Sequence, residues 1–302
     1  MAVLLLVGIL LFSVSARAES AESFEETLSL AEQGDAEAQC NLAAMYLVGY
    51  GVNQDYAKVI EWYTKAAEQG NIGAQYILGN MYYYGYGVEQ NYVKAFEWFI
   101  KTADEGIAEA QYNLGVMYEK GNGVEQDYTK AVECYANAAE RGVAEAQCNL
   151  GFMYLSGNGV EQDYVKAFEW YTKAAEQGYV KAQCNLGTMY LGYYGVKQDY
   201  AKAIEWYTKA AEQESAEAQF SLGNMYIMGY GVEQDHTKAV EWYIKAAEQG
   251  FANAQTNLGF MYYYGDGVKQ DFAKAKEWLT KAAAQGQTNA QNLLNNIQSN
   301  GY

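Results

Sequence analysis

A strict repeat of 36 residues constrains this chain more than anything else in it. The pair Ala-Gln recurs with its Gln at 39, 75, 111, 147, 183, 219, 255 and 291, without slippage. The phrase EWYTKAAEQG stands at 61–70 and again, unchanged, at 169–178. Trp62, Trp98, Trp170, Trp206, Trp242 and Trp278 keep the same period, and Cys134 takes the one remaining turn. Strict periods of about 20–50 residues mark solenoids, propellers and arrays. An active site needs one set of side chains placed once; a stack needs one unit many times.

The unit reads as a pair of helices. In residues 107–142, Ala110, Leu114, Met117 and Tyr118 fall at i, i+4, i+7 and i+8, which is one apolar face of a helix spanning roughly 108–120. Gly121-Asn122-Gly123 ends it, because Gly accepts the positive φ of a helix exit. Asp127 then precedes a second apolar face made of Tyr128, Ala131, Val132, Tyr135, Ala138 and Ala139. Asp or Asn holds that position in every copy (Asp55, Asn91, Asp127, Asp163, Asp199, Asp235, Asp271), as an N-cap requires. The first helix of each pair is called A and the second B. Gly79, Gly115, Gly151, Gly187, Gly223 and Gly259 lie inside A helices, where Gly costs about 1 kcal/mol, so close helix approach is expected there.

The expected fold is all-α: an α/α superhelix, or solenoid, of seven 36-residue helix-pair repeats with a half-repeat cap at each end. The repeats run 35–70, 71–106, 107–142, 143–178, 179–214, 215–250 and 251–286. Residues 19–34 form an N-terminal capping helix of B type, and 287–302 a C-terminal capping helix of A type with a polar outer face. A lone pair cannot bury its apolar face, but a stack can, and each Leu, Met or Trp buried in it contributes about 1.5–3 kcal/mol.

Composition narrows the function. Net charge is −17, proline is absent and Tyr supplies 30 residues. Such an acidic surface disfavours nucleic acid and anionic membranes, which need clustered Lys and Arg. It favours neutral or basic partners. Residues 1–18 stand apart. Ala2–Phe12 is an unbroken run of apolar residues and Gly, and Ala16-Arg17-Ala18 fits a small-x-small cleavage site. This reads as a secretory signal peptide cleaved near Ala18, placing the protein in the periplasm or outside the cell. The run is too short to span a bilayer comfortably, so no direct membrane insertion is expected.

The pattern A-x-A-Q-x-N-L-G-x-M-Y, then G-x-G-V-x-Q-D-Y-x-K-A, then E-W-Y-x-K-A-A-E-Q-G resembles the Sel-one-like repeat family, a branch of the tetratricopeptide-like α-solenoids. The resemblance covers residues 22–299. It implies A helices lining a concave side and a role in holding other proteins. It also brings an alternative of another class. A cysteine-rich branch of the family is associated with β-lactam-directed activity, which suggests a hydrolase of β-lactam or cell-wall amide bonds. That branch carries Cys pairs eight residues apart, a spacing missing here. A purely structural envelope component is a third class.

The helical wheel supplies its own candidate surface. If the repeated Leu marks the core, the opposite stripe of each A helix carries the main variation between repeats. Its members are Tyr76, Asn80, Tyr83 and Tyr84; Tyr112 and Val116; Phe152 and Leu155; Thr188; Phe220, Asn224 and Met228; Phe260, Tyr263 and Tyr264. Many are apolar or aromatic although they point away from the core. Two readings stand open: a surface that binds a protein or peptide, or groups that neighbouring A helices bury against each other. Asn41, Asn113, Asn149, Asn185 and Asn257 form a second ladder, read chiefly as structural.

Signals for chemistry are sparse, and no cofactor, metal site or catalytic residue is expected. The single His236 occupies the place of a repeated Tyr, which reads as packing or surface. One His cannot make an H-E-x-x-H site. The G-x-G stretches follow helices, not strands, and read as turns. Of four cysteines, Cys134 and Cys148 flank the Gly142 turn at similar heights, so a disulfide between them is a candidate. Repeat five departs twice: Tyr193 replaces a turn Gly, with Gly192 one place early, and Glu214 replaces the Gly that ends every other B helix. A Glu held at positive φ costs about 1–2 kcal/mol, so a softer seam is expected between 190 and 216.

Overall fold

The computed structural model describes residues 24–299; the leader expected at 1–18 lies outside them. The described chain is helical throughout, and it divides into two compact units after Val143. The first unit holds α1 (Phe24–Glu32), α2 (Ala36–Val48), α3 (Tyr56–Glu68), α4 (Ile72–Tyr84), α5 (Tyr92–Asp104), α6 (Ala108–Lys120) and α7 (Tyr128–Glu140). The second holds α8 (Ala144–Ser156), α9 (Tyr164–Glu176), α10 (Val180–Tyr190), α11 (Tyr200–Glu212), α12 (Ala216–Met228), α13 (His236–Glu248), α14 (Ala252–Tyr264), α15 (Phe272–Ala284) and α16 (Thr288–Ser299). Even-numbered helices α2–α14 are the A helices and odd-numbered α3–α15 the B helices. Within each unit, every helix packs on its chain neighbours, which is the all-α solenoid arrangement.

The caps expected for the B helices are present. Asp55, Asn91, Asp127, Asp163, Asp199, Asp235 and Asp271 each accept a hydrogen bond from the amide three residues on, at 2.9–3.1 Å. The Gln just before each cap closes the A helix, donating Nε2 to a last-turn carbonyl at 2.6–2.9 Å, as Gln54 does to Leu47. Two positions of the G-V-x-Q-D motif therefore tie the end of helix A to the start of helix B.

The repeated Ala-Gln has a comparable explanation. Gln39, Gln75, Gln183, Gln219 and Gln255 are buried, and each donates Nε2 to a carbonyl near the end of the preceding B helix, at 3.0–3.3 Å. The Oε1 atoms of Gln39, Gln147, Gln183, Gln219 and Gln255 accept from the Gln that ends the B helix of the same repeat, as in Gln69 to Gln39 (2.7 Å) and Gln249 to Gln219 (2.8 Å). Repeats two and three break this ladder: Glu105 stands in the donor's place in repeat two. In repeat three, Arg141 replaces that Gln and donates instead to the Gly106 carbonyl, leaving Gln111 Oε1 buried without a partner.

Between the helices of a pair, Gly replaces bulk. A Cβ on Gly223 would lie 2.4 Å from the ring of Tyr243, which is buried beneath it. The B-helix Tyr occupies the space a side chain would need.

Repeat five differs from its neighbours. Helix α10 ends at Tyr190, and the chain passes through positive φ at Gly192 (91°), Tyr194 (64°) and Gly195 (71°). The left-handed side chain is thus Tyr194, while Tyr193 avoids it. Glu214 takes φ 63°, as its place in the repeat implies. These two are the non-glycine residues at positive φ among the described residues.

A candidate binding face on the A helices

The stripe residues separate into three groups. Tyr84, Phe152, Met228 and Tyr264 are exposed, at 39%, 47%, 59% and 68%. Tyr76, Tyr83, Tyr112, Val116, Leu155, Phe220, Phe260 and Tyr263 are half-buried. Asn80, Thr188 and Asn224 are occupied within their own repeats. Asn80 is 4% exposed and donates to the Tyr76 carbonyl at 2.9 Å, so it is no surface group.

For Thr188 and Asn224 the cause lies on the B helices. The hydroxyl of the buried Tyr comes up beside the A helix and needs a partner there. Tyr243 donates to Asn224 (2.7 Å), Tyr207 shares a hydrogen bond with Thr188 (2.9 Å), and Tyr135 bonds Glu119. Burial pushes the Tyr207 and Tyr243 hydroxyls up to about 12. At the equivalent stripe positions, Ala44 and Phe152 offer no acceptor, and the hydroxyls of Tyr63 and Tyr171 stay buried and unbonded. Packing therefore accounts for part of the stripe. Of the Asn ladder, Asn185 donates to Cys148 Sγ at 3.8 Å.

The rest of the stripe forms aromatic groups with open faces. Tyr83 meets Tyr84 and Tyr92 with ring centroids 4.9 and 5.3 Å apart, and Tyr84 stacks on Tyr86 at 5.4 Å. In the second unit, Tyr263 meets Tyr264 (4.9 Å) and Phe272 (5.4 Å), and Phe260 lies parallel to Tyr264. Ile227, Phe260 and Tyr263 pack against the core formed by α13–α16, while Met228 and Tyr264 stand outside it.

A second exposed aromatic row escaped the sequence reading. The first residue of a B helix meets the middle residue of the next repeat's G-x-G turn, 30 positions on. Tyr200 and Tyr230 stack at 4.7 Å with an interplanar angle of 5°, and Tyr164 meets Tyr194 at 5.7 Å. A Cβ on Gly231 would meet Tyr200 at 2.7 Å, so the turn rests directly on the earlier helix. The signal was available as two aromatic positions at constant spacing.

The cations are largely committed. Twelve lysines stand over a Trp or Tyr ring, at 3.8–5.5 Å, including Lys65 over Trp62 and Lys238 over Tyr226. Such contacts hold the ammonium against its own repeat.

The candidate Cys134–Cys148 bridge is corrected: all four cysteines are free thiols. Cys134 packs on the core around Phe99 and Met117, whereas Cys148 is buried among Tyr171, Ala182 and Leu186. Each side chain is committed to the apolar interior of its own unit. Burial pushes the thiols of Cys134, Cys148 and Cys184 up to about 11, which disfavours the nucleophilic thiolate. Among the described residues no cluster of His, Cys, Asp and Glu fits a metal ion, and no helix is long and apolar enough to cross a membrane.

Stacked hairpins with an A-helix face carrying open aromatic groups define the class: an α-solenoid of the kind typical of protein-interaction scaffolds. The Sel1 repeat model matches residues 36–71, 72–107, 108–143, 144–179, 180–215, 216–251 and 252–287, and the chain belongs to the Sel1 repeat family. Two solved structures are similar along most of it. One is a protective antigen of uropathogenic Escherichia coli displaying an SLR fold, with 39% identity over 93% of this chain and a TM-score of 0.86. The chain spans 60% of that antigen's length. The other is a Sel1 repeat protein from Oxalobacter formigenes, with 38% identity over 91% of this chain and 79% of that one, and a TM-score of 0.79. No curated protein matches the chain.

Proposed function

We propose that this protein is an exported, non-catalytic scaffold that holds a protein or peptide on the exposed stripe of its A helices. One observation carries the reading. Tyr84, Phe152, Met228 and Tyr264 stay open to solvent at stripe positions of helices whose other large apolar groups are covered. Grouped apolar side chains exposed on a protein surface mark interaction sites. Tyr adds large contact area at low entropy cost. With twelve lysines held over rings and a net charge of −17, the surface suits a neutral or basic polypeptide and repels nucleic acid. The apolar run 2–12 and the Ala16–Ala18 site support export.

The test replaces Tyr84, Phe152, Met228 and Tyr264 by Ser together. The wild-type chain should retain a polypeptide partner from the native host through washing, and the variant should lose it while keeping full helicity. Equal retention by both would remove the A-helix stripe from consideration.

A further inference from the structure

We propose that His236 and Asp266 form a proton-operated clasp between repeats six and seven. The evidence is a substitution at one rung of a row that elsewhere pairs a B-helix Tyr with Tyr or Asn. At the four/five and five/six seams the rung is a pair of tyrosines, Tyr164–Tyr194 and Tyr200–Tyr230. At six/seven, both members change together: His236 opens the B helix and Asp266 sits between the two turn glycines. The His236 Nδ1 atom lies within hydrogen-bond reach of the Asp266 carboxylate.

The backbone fixes this geometry. A Cβ on Gly267 would lie 2.4 Å from the His236 carbonyl oxygen, so the turn of repeat seven is pressed on the first residue of α13. Asp266 is therefore delivered to the imidazole by the stacking of the two repeats. Whether the contact attracts strongly depends on the proton. A neutral imidazole offers one ordinary hydrogen bond; an imidazolium makes a charge-assisted one.

The surrounding charges leave Asp266 as the partner. On its own helix, Asp235 caps the first turn and lies 3.8 Å from Lys238, whose ammonium stands over Tyr226. Glu233 lies in the loop that leads into α13, and Lys269 follows three residues after Asp266 in the facing loop. The positive end of a helix disfavours a cation at its first turn, and the Asp266 carboxylate of the next repeat supplies the opposite charge beside it.

The clasp sits two residues from Tyr264, the most open member of the proposed binding stripe, but the inference does not require that stripe to bind anything. It is tested by amide hydrogen exchange of residues 264–268 in the full chain at pH 5.5 and 8.0, corrected for the intrinsic pH effect. Residues 228–232, behind the Tyr200–Tyr230 rung, are the internal reference. The expected result is about threefold greater protection of 264–268 at the lower pH, in line with an exposed ion pair, and no such change at the reference turn. In Asp266→Asn the difference should disappear. In the double variant His236→Tyr, Asp266→Tyr, protection should be equal at both pH values, because the rung is then the tyrosine pair of the four/five and five/six seams. Equal protection of 264–268 at both pH values in the wild type, or a difference that persists in Asp266→Asn, would overturn the clasp.

Discussion

The turns of repeats five and six perform the same task at different quality. In repeat six, Gly231 lies so close to Tyr200 that a Cβ there would meet that side chain at 2.7 Å and its carbonyl carbon at 2.9 Å. In repeat five, the corresponding Gly195 has nothing nearer than Tyr164 Cδ2, at 3.9 Å. The difference begins with one shifted glycine. Gly192 arrives one position early, α10 stops at Tyr190, and Tyr194 is driven to φ 64°. The hairpin itself survives. Asp199 still caps α11, and Gln198 still donates to the Leu191 carbonyl at 2.9 Å. A shifted turn thus spends its irregularity on the contact between repeats, not on the pairing of helices within one.

That contrast can be broken by substitution. Gly231→Ala should be the most damaging, because it combines positive-φ strain of about 1–2 kcal/mol with overpacking of about 1–3 kcal/mol. Gly195→Ala should cost the strain alone, about 1–2 kcal/mol. Urea titrations of the two variants should therefore differ by at least about 1 kcal/mol, and equal losses would mean that the two turns contact their neighbours alike.

Glu214→Gly should act in the opposite direction. It relieves the φ 63° strain at the end of α11 and stabilises by about 1 kcal/mol, less the extra freedom of Gly in the unfolded chain. It should also slow exchange around 190–216 toward the rates of repeat six. Of similar size is Arg141→Gln in the first unit. It restores a donor to the buried Gln111 Oε1 and should stabilise by about 0.5–1.5 kcal/mol, with no gain if Arg141 already contributes as much at the Gly106 carbonyl.

Much of this is legible in the sequence. The 36-residue period, the Asp and Asn caps and the helix-ending glycines are local signals, and local hydrogen bonding enforces them. The strain at Glu214 followed from register alone. The A-helix stripe was legible as a direction but not as a surface. Asn80, Thr188 and Asn224 lie on the right side of the wheel, yet they serve neighbours within the repeat; for Thr188 and Asn224 the neighbour is a tyrosine hydroxyl 19 residues downstream. A wheel describes one helix, whereas those hydroxyls come from another. The same limit explains Cys134 and Cys148, whose heights beside Gly142 matched while their side chains served different cores.

The central claim is that the A helices present the working face and the B helices do not. Photo-cross-linking from single sites tests this most directly. A benzoylphenylalanine placed at Met228 or Tyr264 should capture the same polypeptide in the native host, whereas one at the exposed B-helix positions Glu241 or Glu277 should capture none. Adducts arising from Glu241 and Glu277 but not from Met228 and Tyr264 would contradict the account.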